Sequence, residues 1–289
     1  MTIVQPIRQI NERVWQVRYN EQLYMMKYYP NKKSLQKVFA LYKRLQHLQF
    51  PHSLSVEKVV FDHYLLQPWL TNCKAIRYHT IEDRTDTLKV LHKLHHIGKN
   101  INPSSIPSIQ TYHLVEKWSH RLFRFQQLKS ICTAYLDDEL YHSIEQYALQ
   151  ALAYIKQVDL IEEQQTILHG DVVHHNFLRA EDGNVRLIDF DLATTGPESI
   201  ELILWLHRVL PHVSYDLQAL IEEQPSLKKL QPTHFLHLLY PNELLREWLH
   251  FMTLSEEQQQ KNYAKIHAFT TSALSHWPNL WYNVLQINN

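Results

Sequence analysis

The apolar pattern of this chain changes its period once, near residue 70, and reverts only in one short island. Before that point the residues read as strands. Val14-Trp15-Gln16-Val17 and Leu23-Tyr24-Met25-Met26-Lys27-Tyr28-Tyr29 are rich in β-branched and aromatic types, and the polar Asn20-Glu21-Gln22 between them predicts a hairpin. After Pro30, Leu35, Val38, Leu41, Tyr42, Leu45 and Leu48 recur at helical spacing, predicting a helix from Ser34, as its N-cap, to Gln49. Val56 to Leu66 returns to strand character and turns at Asp62-His63. Beyond Gln67-Pro68-Trp69 the pattern is helical. Leu88, Leu91, Leu94 and Ile97 form one stripe, with Gly98 expected as a left-handed C-cap. Trp118 to Lys129 and Leu136 to Val158 predict two more helices, and helices dominate again after Ile200. The exception is a strand-like island at 166–192. This order predicts an α+β chain of two lobes: a small antiparallel sheet with one helix over 1–70, then a large, mainly helical lobe over 71–289 that carries a β-hairpin at 166–192.

Composition narrows the function classes. Lys and Arg together number 29, as do Asp and Glu, so the formal net charge is zero and no electrostatic footprint for nucleic acid is present. No stretch approaches the roughly 18 apolar residues that a membrane-spanning helix needs, and Met1-Thr2-Ile3-Val4 lacks signal-peptide character, so neither a nucleic-acid nor a membrane partner is expected. Cys73 and Cys132 fit no zinc or redox spacing, and a cytoplasmic setting follows as the default. Nothing in the sequence sets the oligomeric state. Glycine is scarce: there are four, where average usage of about 7% would give about 20. Three of the four, Gly170, Gly183 and Gly196, fall in or just after the island.

The island runs Ile167-Leu168-His169-Gly170-Asp171-Val172-Val173-His174-His175-Asn176-Phe177-Leu178, then Asp182-Gly183, then Val185-Arg186-Leu187-Ile188-Asp189-Phe190-Asp191. Asp182-Gly183 is a hairpin signal between two apolar runs. Folding the chain there sets Asn176 opposite Asp189 at the open end, with Asp171 on the loop that feeds the first strand. Two carboxylates and a carboxamide then converge. Such a trio suits Mg²⁺, which takes a few side-chain oxygens and leaves its other positions to water and phosphate. Asn176 and Asp189 would supply those oxygens, and Asp171 would accept the proton of an attacking hydroxyl, following the kinase arrangement of Asp-x-x-x-x-Asn and a later metal-binding Asp.

His-Gly-Asp-x-x-x-x-Asn followed by Ile-Asp-Phe-Asp resembles the aminoglycoside phosphotransferase and choline kinase superfamily, and among its members most the bacterial spore-coat-kinase-like and uncharacterised phosphotransferases. Tyr24 to Tyr29 resembles the strand that carries the phosphate-contacting lysine, here Lys27. Tyr64-Leu65-Leu66-Gln67-Pro68-Trp69-Leu70 is similar to the hinge, Leu88 to His95 to the helix that opens the large lobe, and Gly196-Pro197 to Leu202 to a later conserved stretch. The resemblance implies a bilobal protein-kinase-like fold and an ATP- and Mg²⁺-dependent phosphotransferase. Asp171 would be its base, Lys27, Asn176 and Asp189 its nucleotide-binding residues, Asn176 and Asp189 its metal ligands, and a small hydroxyl- or amine-bearing molecule its acceptor.

Three positions depart from that pattern. The loop Gln9 to Arg13 has no glycine, the helix after Pro30 offers no carboxylate to Lys27 and has Leu41 at the corresponding place, and Glu201 stands where an aspartate is usual. The alternative reading is therefore a catalytically weak or inactive kinase-fold binding or scaffold protein. His92 and His96, four apart on one helix face, raise a zinc reading, but no HExxH or third ligand accompanies them.

Overall fold

The computed structural model describes residues 4–56, 58–60, 62–157 and 164–288. By packing, the chain forms two compact units, residues 1–112 with 164–201 and residues 113–163 with 202–289. The expected division at residue 70 marks the change of periodicity, whereas the packing keeps 71–112 and the island with the N-terminal sheet.

The first unit holds an antiparallel sheet of order β1-β2-β3-β5-β4, built from β1 (Gln5–Asn11), β2 (Val14–Tyr19), β3 (Gln22–Tyr28), β4 (Lys58–Val60) and β5 (Tyr64–Pro68). The β2–β3 turn has two residues, Asn20 and Glu21, both at positive φ (47° and 61°), which matches the twist of the strands it joins. Val17, Tyr24 and Leu66 are buried on one face, with Val4, Trp15, Tyr19 and Met26 against them. The segment Gln9 to Arg13 is mostly strand: only Glu12 and Arg13 turn, and Asn11 Oδ1 accepts from the Arg13 N–H at 2.9 Å.

Helix α1 (Lys32–His47) buries Leu35, Val38, Leu41, Tyr42 and Leu45. Its N-cap is Asn31, not Ser34, because the Asn31 carboxamide accepts from Lys33 N at 2.8 Å and starts the helix a few residues earlier. Helix α2 (Ile81–Gly98) is capped by Thr80. Gly98 is not the left-handed cap expected of it. It closes the helix with Lys99 beyond it, and a Cβ there would lie 2.5 Å from Thr166 Oγ1 and 2.8 Å from Ile167 N, so glycine serves close helix–strand packing.

The remaining strands of this unit are β6 (Lys74–Ala75), β7 (Gln165–Leu168), β8 (Phe177–Arg179), β9 (Val185–Leu187) and β10 (Thr194–Pro197). They pair as β6-β8-β9 and as β7-β10. The β8–β9 hairpin closes where expected, with Gly183 at φ 77°, but its register differs by one residue. Phe177 faces Leu187 and Arg179 faces Val185, so Asn176 lies against Ile188 rather than Asp189. The unit ends in the first turn of α6 (Glu198–Val209), at Glu201.

The second unit is helical: α3 (Leu114–Gln127), α4 (Lys129–Cys132), α5 (Asp138–Ile155), the rest of α6, α7 (Leu217–Glu223), α8 (Pro232–Phe235), α9 (Asn242–Phe251) and α10 (Glu256–Asn288). Val158, the expected end of one helix, lies outside the described residues. Trp118 stacks on Tyr240 at 4.5 Å and 7°, and the Tyr240 hydroxyl donates to Trp118 O. Burial pushes His207 and His237, both against Trp118, down to about 4, so both are neutral at pH 7. Among the described residues no helix is long and apolar enough to cross a membrane.

Candidate active site

Strand β7 delivers the chain to a sharp bend at Gly170, whose φ is 81°. A Cβ at this position would stand 2.1 Å from Leu192 O, so only glycine lets His169-Gly170-Asp171 run this close to the segment after β9. The bend is held from below by Glu201 of α6, which is fully buried. Its Oε1 accepts the Gly170 N–H at 2.7 Å, and its Oε2 lies 2.8 Å from His95 Nε2 on α2. Burial works against the Glu201 charge, but the hydrogen bonds with His95 and the Gly170 N–H outweigh it and hold the carboxyl below the usual range.

His169 joins the two halves of the bend. Its Nε2 sits 2.8 Å from Ile188 O, which can only accept, so Nδ1 carries the lone pair that meets Asp171 N–H at 3.3 Å. The ring packs edge-on to Phe190 at 4.7 Å.

Asn176 follows on a short turn, His174–Asn176, and is buried. Its Nδ2 donates to Asp171 O at 2.9 Å and lies 3.5 Å from Asp171 Oδ2. Its main-chain O accepts from Ile188 N at 3.0 Å. Asp189 then adopts φ 65°, a left-handed conformation rare for residues other than glycine that aspartate tolerates better than most. This kink lets Asp189 leave the strand just past its last pair, so the one-residue change of register does not decide where its carboxylate goes.

Lys27 projects from β3 to that carboxylate. Its Nζ is 2.8 Å from Asp189 Oδ1 and 2.8 Å from Asp191 Oδ2. The lysine side chain is 14% exposed, against 43% and 38% for the two aspartates, so the pair keeps oxygen atoms open to solvent. Burial opposes the Lys27 charge, yet the two carboxylates hold its pKa above the ordinary lysine value. Burial likewise opposes the Asp189 charge, but Lys27 outweighs it and keeps Asp189 low, whereas burial and the charge of Asp189 push Asp191 up.

The structure therefore forms two contacting pairs, Asp171 with Asn176 and Lys27 with Asp189, joined through His169 and the Asn176–Ile188 main-chain bond. The donor set fits Mg²⁺: Asn176 commits its amide nitrogen to Asp171 and so keeps its oxygen for a ligand, and Asp189 adds carboxylate oxygen. Among the described residues no group of three or more His, Cys, Asp or Glu could hold a metal.

Sequence reasoning missed two members of this cluster. Tyr29 donates to Asp191 Oδ1 at 2.7 Å, and Lys37 of α1 donates to Asp191 O at 2.8 Å and Ala193 O at 3.0 Å. Asp191, the last residue of the Ile-Asp-Phe-Asp run, stands out in the sequence, but its contact with Lys27 does not. Tyr29 had a signal, since it stands two residues after Lys27 and therefore on its side of the strand. Lys37 had none beyond lying one turn before Leu41.

Residues 3–216 match the model of a family described as phosphotransferase enzymes. No curated protein matches the sequence. Among solved structures, an aminoglycoside phosphotransferase from Alicyclobacillus acidocaldarius superposes with a TM-score of 0.71 at 15% identity, covering 98% of this chain and 93% of its own. The choline kinase LicA from Streptococcus pneumoniae gives 0.55 at 11% identity over 94% and 93%. A spectinomycin phosphotransferase in complex with AMP gives 0.64 at 12% identity over 93% and 89%. At these identities the likeness is one of fold.

Proposed function

This chain belongs to the phosphotransferase enzyme family and has its protein-kinase-like α+β fold, and on that premise we propose that it transfers the γ-phosphate of ATP, with Mg²⁺, to a small hydroxyl- or amine-bearing metabolite. The observation that carries the reading is the contact of Asp171 with Asn176 on a loop whose bend, at Gly170, is anchored by a buried carboxylate, in the same unit as the Lys27–Asp189 pair.

In this reading Asp171 orients the acceptor hydroxyl and receives its proton as the new P–O bond forms and the bond from the γ-phosphorus to the β,γ-bridging oxygen breaks, ADP leaving. Asn176 fixes the main chain of Asp171 through Nδ2, while its side-chain oxygen and the carboxylate of Asp189 hold the cation. A cation held there would supply charge neutralisation on the phosphates. Lys27, held in the charged form by two carboxylates, steadies the α- and β-phosphates. Phosphoryl transfer asks mainly for positioning and electrostatic stabilisation, and a glycine bend, a buried Glu201 and a bridging His169 supply rigidity of that kind. Nucleotide as a ligand is supported by the AMP-bound spectinomycin phosphotransferase of like fold. A cytoplasmic setting suits both the supply of ATP and two unpaired cysteines.

A second reading, a nucleotide-binding protein without turnover, is favoured by one contact: Lys27 Nζ lies 2.8 Å from Asp189 Oδ1, on the carboxylate assigned to the cation. Calorimetric titration of Mg·ATP into the wild-type chain and Asp189→Ala tests the site. Saturable binding by the wild type, weakened at least tenfold in the variant, supports it, and equal binding by both removes Asp189 from the site.

A further inference from the structure

A lysine that steadies phosphates needs a counter-charge that holds its ammonium in place. The expected source, α1, has none to give: Leu41 is fully buried and apolar, and the helix contains no Asp or Glu. Yet Lys27 is not without a partner. Asp189 supplies one carboxylate, but in the proposed reaction those oxygens go to the cation. Asp191 supplies the other, at 2.8 Å.

Asp191 is held on three sides. Its Oδ1 accepts from the Tyr29 hydroxyl at 2.7 Å, leaving Oδ2 to Lys27. Burial and the neighbouring aspartates push the Tyr29 hydroxyl up, so it remains a donor. Its main-chain oxygen accepts from Lys37 Nζ, which also takes Ala193 O and thereby clamps the turn that carries the carboxylate. The edge of Phe190 packs on Tyr42 of α1 at 5.1 Å. The helix thus contributes to the site with the opposite sign of charge. It offers a lysine to the loop, and the loop offers a carboxylate to the strand lysine.

We infer that Asp191 is the positioning residue for Lys27 in the nucleotide complex, standing in for a helix carboxylate, with Tyr29 and Lys37 fixing its orientation. The inference rests on the kinase reading, since it concerns where Lys27 is held when phosphate is bound. With Asp189 holding a cation, Lys27 would keep Asp191 as its carboxylate partner and stay beside the phosphates.

The test is a double-mutant cycle in nucleotide affinity, read by calorimetry with ADP in the presence of chelator and again with Mg²⁺. Asp191→Asn is the informative change because it removes the charge and retains an acceptor for Tyr29, and thermal unfolding establishes that each variant folds. Loss of one charge-assisted contact predicts that Asp191→Asn weakens ADP binding about tenfold with Mg²⁺, and less with chelator, where Asp189 still holds Lys27. In a Lys27→Met background the same change should have no further effect, and Asp191→Glu should restore part of the loss. Undiminished weakening in the Lys27→Met background would overturn the inference, because Asp191 would then act on the cation or the fold directly. Wild-type affinity in Asp191→Asn would overturn it and leave the kinase reading standing. If the wild-type chain binds no nucleotide under either condition, both fall together.

Discussion

Replacing Gly170 by alanine should damage the site far more than replacing the other left-handed glycine, Gly183. Both glycines have φ near 80°, at 81° and 77°, so each substitution carries the same left-handed strain of about 1–2 kcal/mol. Only at 170 is there an obstacle. The new Cβ would lie 2.1 Å from Leu192 O, where ordinary contact begins at 3.4 Å, so the two main chains must part by about 1.3 Å. At 183 nothing lies within 4 Å. The segments forced apart carry Asp171 on one side and Asp191 on the other, and displacement of a catalytic group by about 1 Å can cost a hundredfold in rate. Gly170→Ala should therefore lower the unfolding free energy by about 2–4 kcal/mol and ATP turnover by about 100-fold. Gly183→Ala should lose only about 1–2 kcal/mol and keep its turnover. Denaturant unfolding followed by circular dichroism gives the first quantity, and steady-state ATP hydrolysis the second. Gly170→Ala with turnover within twofold of Gly183→Ala would refute the close approach on which the site geometry depends.

Other consequences are as direct. Burial holds His207 and His237 at about 4, below the unfolded value of about 6.5, so the unfolded chain takes up their protons first. Their contribution is intact above pH 6.5 and is lost as the pH falls toward 4, by about 3 kcal/mol for each histidine. Unfolding free energy measured from pH 7.5 to 4 should show this slope, lessened in His207→Gln, and a flat profile would contradict it. For Glu201 the folded pKa is also depressed, so its stabilisation is present above the unfolded carboxyl value and disappears as the pH falls through the lower folded one. Glu201→Gln should accordingly be less stable than wild type by about 1–3 kcal/mol at pH 7, with the gap closing below about pH 4 in thermal melts.

The elements most legible in the sequence were those whose signals are local. The β2–β3 hairpin follows from two aromatic runs around Asn20-Glu21, and α1 and α2 from apolar spacing. The hairpin register was less legible. Asp182-Gly183 marks a turn, but the loop spans 180–184, with Ala180 N bonded to Asn184 O, and a centre half a residue away shifts every pair by one. Gly98 looked like a cap because helix ends favour glycine, and the sequence carried no sign of the β7 backbone that packs against it. Asp171, Asn176 and Asp189 could be singled out because their spacing is short. The partners of Lys27 could not: Asp189 lies 162 residues away, and the Lys37 contact with Asp191 spans 154. A lysine on a half-buried strand reads the same whether it meets water or a carboxylate, and only the fold distinguishes the two.

The central claim is that Asp171 serves phosphoryl transfer. The direct measurement is the movement of label from γ-³²P-ATP, with Mg²⁺, to a panel of sugars, amino alcohols, aminoglycosides and cofactor precursors, using the wild-type chain beside Asp171→Asn. The account predicts a labelled product with at least one acceptor, reduced at least 100-fold in the variant while Mg·ATP binding is retained. Transfer by Asp171→Asn at the wild-type rate, or an absence of labelled product and of ATP hydrolysis in a wild-type chain that binds Mg·ATP, would contradict it.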